Sequence, residues 1–184
     1  MKKKPTLSKV ISLFLLVLMT WSCSSNLDFD QANDLNLTPV FVANLTYFDV
    51  PAHEFVTNGV ENTVGVAGLG FDAFRDSFFR ENLVRTDLFF ELTNTINRAY
   101  VIDLFMLNES DQVVYTVHFD VPAASSAPQV VAKTEVFQGI TLEQFKQTEK
   151  MVFRLVMLPG APLTENSLGS LKMKSSATVY MDIQ

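Results

Sequence analysis

The 184-residue chain has one cysteine, one tryptophan, two histidines, and seven each of glycine and proline. A single cysteine excludes any intrachain disulfide, so a folded body has to be held by packing alone. Two histidines, His53 and His118, are too few for a histidine-based zinc centre, which takes three or four ligands. No apolar stretch approaches the roughly 20 residues that a membrane-spanning helix needs. Basic residues are outnumbered, 14 Lys and Arg against 20 Asp and Glu, and no Lys/Arg stripe breaks the pattern. Nucleic acid is therefore not an expected partner.

What is present starts at the amino terminus. Lys2, Lys3, Lys4 and Lys9 precede an eleven-residue apolar segment, Val10 to Thr20, and the sole cysteine, Cys23, follows it directly after Ser22. A basic run, a short apolar run and small residues form an export signal that is cleaved rather than retained. Cleavage before Cys23 removes residues 1–22, four lysines and the only tryptophan, leaving 10 basic residues against 20 acidic ones. The mature chain then carries a formal charge of −10 in place of −6. Residues 23–36 are polar and acidic and suit a tether; residues 37–184 suit one domain with a real core.

This segment resembles the precursors of bacterial lipoproteins. Ser22 fits the family's processing box, whereas Thr20 and Trp21 depart from it; Ser24-Ser25-Asn26 with Asp28 and Asp30 is most similar to lipoproteins of the Bacteroidota. The resemblance implies acylation of the Cys23 thiol (palmitate or a similar chain) and a place at the cell outer membrane, on either its periplasmic or its surface face. Several acyl chains, at about 0.8 kcal/mol per methylene, are enough for stable anchoring.

Beyond the tether, period-two alternation dominates, the mark of half-buried strands. It is cleanest over Gln112–Val121, where Val113, Tyr115, Val117, Phe119 and Val121 share one face, and over Leu171–Ile183. Val40–Val50, Val84–Thr93, Ala99–Leu107, Gln129–Phe137 and Lys150–Leu158 supply further strands. Thr93–Asn97 and Asn108–Asp111 read as hairpin loops, which makes a meander of the three strands around them. Thr141-Leu-Glu-Gln144 has the form of a capping box opening a helix over Leu142–Glu149, and Phe74 with Phe78 suggests a turn or two of helix from Asp72. The expected fold is all-β: an antiparallel, immunoglobulin-like β-sandwich of about seven to eight strands with one or two short helices, its core built largely from the fifteen mature phenylalanines. The TNTINR segment and the late LGSLKMKSSATVYMDI strand are similar to flavobacterial lipoproteins, a likeness that implies no particular activity.

The candidate chemistry is thin. His118 and Asp120, two apart on one strand, share an outward face as an acid–base or ligand pair would, but a solvated face is the simpler reading. Asp28, Asp30 and Asp34 alternate like the start of a calcium loop without its glycine or closing glutamate. Gly65, Gly68 and Gly70 in VGVAGLGFDAF have the look of a phosphate loop without the surrounding βαβ pattern, so a loop or strand edge is the better reading. No catalytic residue, cofactor or metal is expected. The sequence favours a non-catalytic, lipid-anchored envelope protein that binds an envelope protein or polymer. The alternative is a surface glycan-binding lipoprotein beside an outer-membrane sugar importer, which the absence of mature tryptophan disfavours.

Overall fold

The computed structural model describes residues 36–71 and 73–184. Cys23, the export signal, the tether with Asp28, Asp30 and Asp34, and the single position Asp72 lie outside the described residues. Asn36–Ile183 forms one compact unit. Its strands are β1 (Val40–Pro51), β2 (Val56–Thr57), β3 (Val60–Glu61), β4 (Val64–Gly70), β5 (Leu83–Asn94), β6 (Tyr100–Leu107), β7 (Val113–Val121), β8 (Gln129–Gln138), β9 (Lys150–Met157) and β10 (Ser170–Met181). Two short helices, α1 (Ser77–Asn82) and α2 (Ile140–Phe145), interrupt them. The fold is an all-β antiparallel sandwich: one sheet has the order β1-β10-β5-β8, the other β4-β9-β6-β7, with β2-β3 a small separate hairpin. That hairpin turns on Asn58 and Gly59, both at positive φ, as a two-residue turn between twisted strands requires.

One rule generates both large sheets. Val40 pairs with Tyr180, Val64 with Val156, Arg85 with Gln138 and Tyr100 with Val121. The residue numbers in these pairs sum to 220, 220, 223 and 221, and the Leu37–Ile183 bridge also gives 220. The domain is therefore a single long hairpin, turned at Asn108–Gln112 and rolled so that β5 meets β10 and β6 meets β9. The turn is well made. Asn108 Oδ1 accepts the amides of Ser110 and Gln112 at 3.0 and 2.9 Å, and Asp111 takes the left-handed conformation. A rolled hairpin of eight strands is the jelly-roll order, not the immunoglobulin one.

The roll replaces the expected meander. β5 and β6 lie in different sheets, and only β6 and β7 are joined as a hairpin. The corner after β5 is made by Asn94, fully buried, whose amide donates to the carbonyls of Arg98 and Pro122 while its oxygen accepts the Ile96 amide. This arch carries the chain across to the other sheet, so Thr93–Asn97 does not close a hairpin.

The alternating residues define the core. From β10, Leu171, Met173, Ser175, Ala177 and Met181 are buried; β5 contributes Leu88, Phe90 and Leu92, and β6 Ile102, Leu104 and Met106. Phenylalanine does much of the filling. Phe137 stacks on Phe145 at 4.5 Å between centroids, Phe74 meets Phe145 edge-on at 5.0 Å, and Phe90 meets Phe119 edge-on at 5.5 Å. Each such pair adds about 0.5–1.5 kcal/mol beyond its buried area.

Both helices depart from the expected detail. α2 ends at Phe145 rather than Glu149, and its N-cap is Gly139. Thr141 Oγ1 is engaged with the Gln138 backbone, so no capping box forms. α1 is capped by Asp76, which accepts the Phe78 amide at 2.9 Å. Phe74 is buried while Phe78 is exposed, because a 3-10 turn at Ala73–Arg75 and the cap at Asp76 separate them.

Candidate functional site

Three places on the described residues combine unusual chemistry with access. The first is the outer face of the β4-β9-β6-β7 sheet, where strand register sets Asp103 between Arg154 and His118. Asp103 Oδ1 lies 2.6 Å from His118 Nδ1 and Oδ2 lies 2.5 Å from Arg154 Nη2; His118 Nε2 is 3.4 Å from Asp120. Burial pushes the Asp103 carboxyl upward, but hydrogen bonds from His118 and Arg154 outweigh it and hold the group below its ordinary range. The hydrogen bond to Asp103 raises His118 above the usual histidine value, favouring the imidazolium. Both carboxylate oxygens are thus occupied, and Arg154 also lies 5.2 Å over the Phe105 ring. The arrangement is a bridge across β9, β6 and β7. His118 and Asp120 do share a face, as their spacing requires, while Asp103, the strongest partner, carries no local motif; it is the one charge in an apolar strand.

The second place is a polar hollow of about 690 Å³ at the α1/α2 end, lined among others by Arg80, Glu81, Glu109, Glu143, Lys146 and Glu149. Lys146 is already engaged with Glu143 at 3.1 Å. Among the described residues no group of three or more His, Cys, Asp or Glu is placed to hold a metal ion.

The third is the open side of the sandwich. The two sheets have four edge strands, and the β7/β8 side is closed: Tyr115 donates to Glu135 at 3.1 Å, and Lys133 sits over the Phe119 ring. The opposite side, between β1 and β4, holds an apolar groove of about 360 Å³. Phe48 and Val50 of β1 and Ala67 and Leu69 of β4 form its walls, and Phe153 and Leu155 its floor. All seven residues of β4 are exposed, Val66 at 69% and Val64 at 57%.

Natural edges are guarded by charge, proline or bulges against strand addition. β8 carries Lys133 and Glu135, β7 carries His118 and Asp120, and β1 carries Asp49, Pro51 and a register shift between Asn44 and Tyr47. β4, VGVAGLG, has no charge, no proline and an unbroken register with β9. Gly65, Gly68 and Gly70 are thus the edge strand that the sequence allowed, with no phosphate loop around them.

The exposed aromatic side chains that a sugar platform would need, Phe41, Tyr47, Phe78 and Phe89, are divided among β1, α1 and β5. Tyr180 is half-buried against Arg85 and Asp87. No helix of the described residues is long and apolar enough to cross a membrane.

No family model matches the chain, and no curated protein matches it. Solved structures show distant resemblances. The infectious bursal disease virus VP2 subviral particle aligns at TM-score 0.41 and 11% identity over 78% of this chain and 32% of that one. A Parabacteroides distasonis protein assigned as secreted aligns at 0.42 and 14% over 62% and 36%. Desmodium yellow mottle tymovirus aligns at 0.33 and 11% over 100% and 92%. The chain thus spans about a third of the first two. Fold and surface together define a jelly-roll sandwich with one open, unguarded side.

Proposed function

We propose that the protein is a non-catalytic, lipid-anchored component of the bacterial outer membrane, tethered through Cys23, whose sandwich binds protein by accepting an extended, uncharged strand along β4. The observation that carries this reading is the β4 edge: exposed along its whole length, neutral within an acidic chain, and flanked by the apolar groove. Strand addition draws its affinity from main-chain hydrogen bonds and its specificity from pockets for alternate side chains, and β4 with the groove supplies both. The Asp103–His118 pair supports no reaction class, since both oxygens of its carboxylate are held by the bridge across the sheet.

One membrane preparation tests both halves. The wild-type chain is expected in the membrane fraction, and its detergent extract is expected to migrate above monomer mass on a native column. Cys23→Ala should leave the membrane fraction, and Val66→Lys should stay there but run as a monomer. Membrane retention of Cys23→Ala would refute the anchor; a wild-type extract at monomer mass would refute the binding role.

A further inference from the structure

The chain itself can supply the incoming strand. We infer that it is β4 of a second copy of this chain, paired antiparallel about a two-fold axis at Ala67, so that two four-stranded sheets join into one of eight strands. The inference rests on the proposed binding role and names its partner.

Hydrogen-bond direction comes first. Met157 donates to Thr63 O, and Phe71 donates to Glu149 O, at the two ends of the β4–β9 ladder. In an antiparallel pair, residues exchanging hydrogen bonds alternate with residues that do not. Thr63, Gly65, Ala67, Leu69 and Phe71 therefore bond to β9, and the amides and carbonyls of Val64, Val66, Gly68 and Gly70 point to the free edge. An antiparallel copy centred on Ala67 places Val64 opposite Gly70 and Val66 opposite Gly68. These are the four residues whose backbone groups face outward, so the free edge is satisfied from end to end.

Side-chain size agrees with the same register. Val64 and Val66, on the outer face, each meet a glycine of the partner. On the groove face Leu69 meets the partner's Gly65, which itself lines the groove, and Ala67 meets its own copy on the axis. Every large side chain of VGVAGLG thus faces a small one. A one-residue shift of register would instead turn the outward-facing groups of one copy toward the β9-bonded groups of the other.

Charge points the same way. Two copies of a chain with 20 acidic and 14 basic residues repel one another, more so once the four signal lysines leave. β4 is the one of the four edges on which they can meet without opposed charges. A two-fold contact is also self-complementary, the commonest way that identical subunits associate.

The test is disulfide mapping in the anchored, full chain. Residues opposite each other without shared hydrogen bonds have Cα atoms about 4.5 Å apart, inside the roughly 4.4–6.8 Å range that a disulfide spans. Ala67→Cys is exposed and small, so it leaves the fold intact. Under mild oxidation it is expected to convert most of the chain to a dimer, while wild type and Val60→Cys, on the neighbouring hairpin, give none. Gly65→Cys and Leu69→Cys should each fail alone and cross-link when co-expressed. Absence of the Ala67→Cys dimer overturns the inference. A cross-link to a chain of different mass also overturns it, while leaving strand addition standing. Monomer mass on the native column as well as no cross-link would remove both, including the case in which residues 24–35 of the same chain cover β4.

Discussion

A chain ended at Ser176 will not fold. The deletion removes eight residues that run to the carboxyl terminus, but their place is the middle of a sheet: β10 is paired with β1 on one side and β5 on the other. Residues 177–181 hold four register pairs with β1 and five with β5, and the Leu37–Ile183 bridge goes with them. At about 0.5–1.5 kcal/mol per hydrogen bond, nine pairs contribute on the order of 10 kcal/mol. Loss of the buried Met181 adds about 1.5–3 kcal/mol, and that of the half-buried Val179 less. Total stability of a domain is typically about 5–15 kcal/mol, so the remainder falls near or below zero. Far-UV circular dichroism should show no cooperative melt. Removal of Gln184 alone, beyond the last bridge, should leave the melt unchanged. A soluble Ser176 truncation with a sharp transition would refute the central place of β10.

Arg98→Ala is the second large effect. Arg98 is 4% exposed, and its guanidinium ties two segments together through three groups: Leu158 O at 2.8 Å and Ala161 O at 2.6 Å in the loop after β9, and the Glu61 carboxylate of β3 at 2.9 Å. Glu61 in turn accepts the Leu163 amide, the main cause of its lowered pKa, with Arg98 adding to the effect. Gly160 is shaped to this side chain, since a Cβ there would come within 2.8 Å of Arg98 Cδ. Arg98 is buried, but Glu61 is 26% exposed and keeps the Leu163 amide, so removing the guanidinium costs about 3 kcal/mol, the low end of the range for a fully buried pair. For a domain of this size that lowers Tm by roughly 10 °C, at about 2–4 °C per kcal/mol. Lys150→Ala makes the useful contrast. Lys150 and Asp111 are as close, at 2.6 Å, yet both are more than half exposed, and such a pair contributes about 0–1 kcal/mol. Equal shifts in the two variants would mean that burial does not decide the strength of these pairs.

The sequence carried the faces more clearly than the connections. Alternation along Leu171–Ile183 and Gln112–Val121 is local, so the inward residues of β10 and β7 were legible, as was the sandwich they imply. The rolled hairpin was not. A nearly constant sum of paired residue numbers is a relation between positions as far apart as Val40 and Tyr180, and no local pattern carries it. The corner at Asn94 was hidden for a related reason: a run of Thr, Asn and Ile reads equally as a hairpin loop until Pro122 is brought beside it. The β2-β3 hairpin was missed in the sequence because Val56-Thr57 and Val60-Glu61 are too short to show alternation around Asn58-Gly59, whereas Thr141 had the form of a cap whose hydroxyl the Gln138 backbone had already taken.

The candidate site divides in the same way. Gly65, Gly68 and Gly70 stood out in the sequence, which favoured a loop or a strand edge over a phosphate loop without choosing between the first two. Their significance as an unguarded edge depends on which strands flank them, which only the sheet order discloses. His118 and Asp120 were visible as neighbours two apart, but their link to Arg154 runs through Asp103, 51 positions away from the arginine. The open groove follows from the roll itself, because rolling one hairpin into two sheets leaves β1 and β4 facing each other across a gap that no charged side chain of β4 covers.

Hydrogen exchange at β4 in native membranes tests the central claim most directly. The amides of Val64, Val66, Gly68 and Gly70 point to the free edge, so in an isolated chain they exchange at the rate of unpaired strand groups, while those of Gly65, Ala67 and Leu69, bonded to β9, are slow. If the protein works by accepting a strand along β4, the four outward amides will be as slow as their neighbours in the wild-type protein and will become fast again in Val66→Lys. Fast exchange at all four in the wild type would mean that no strand is accepted there.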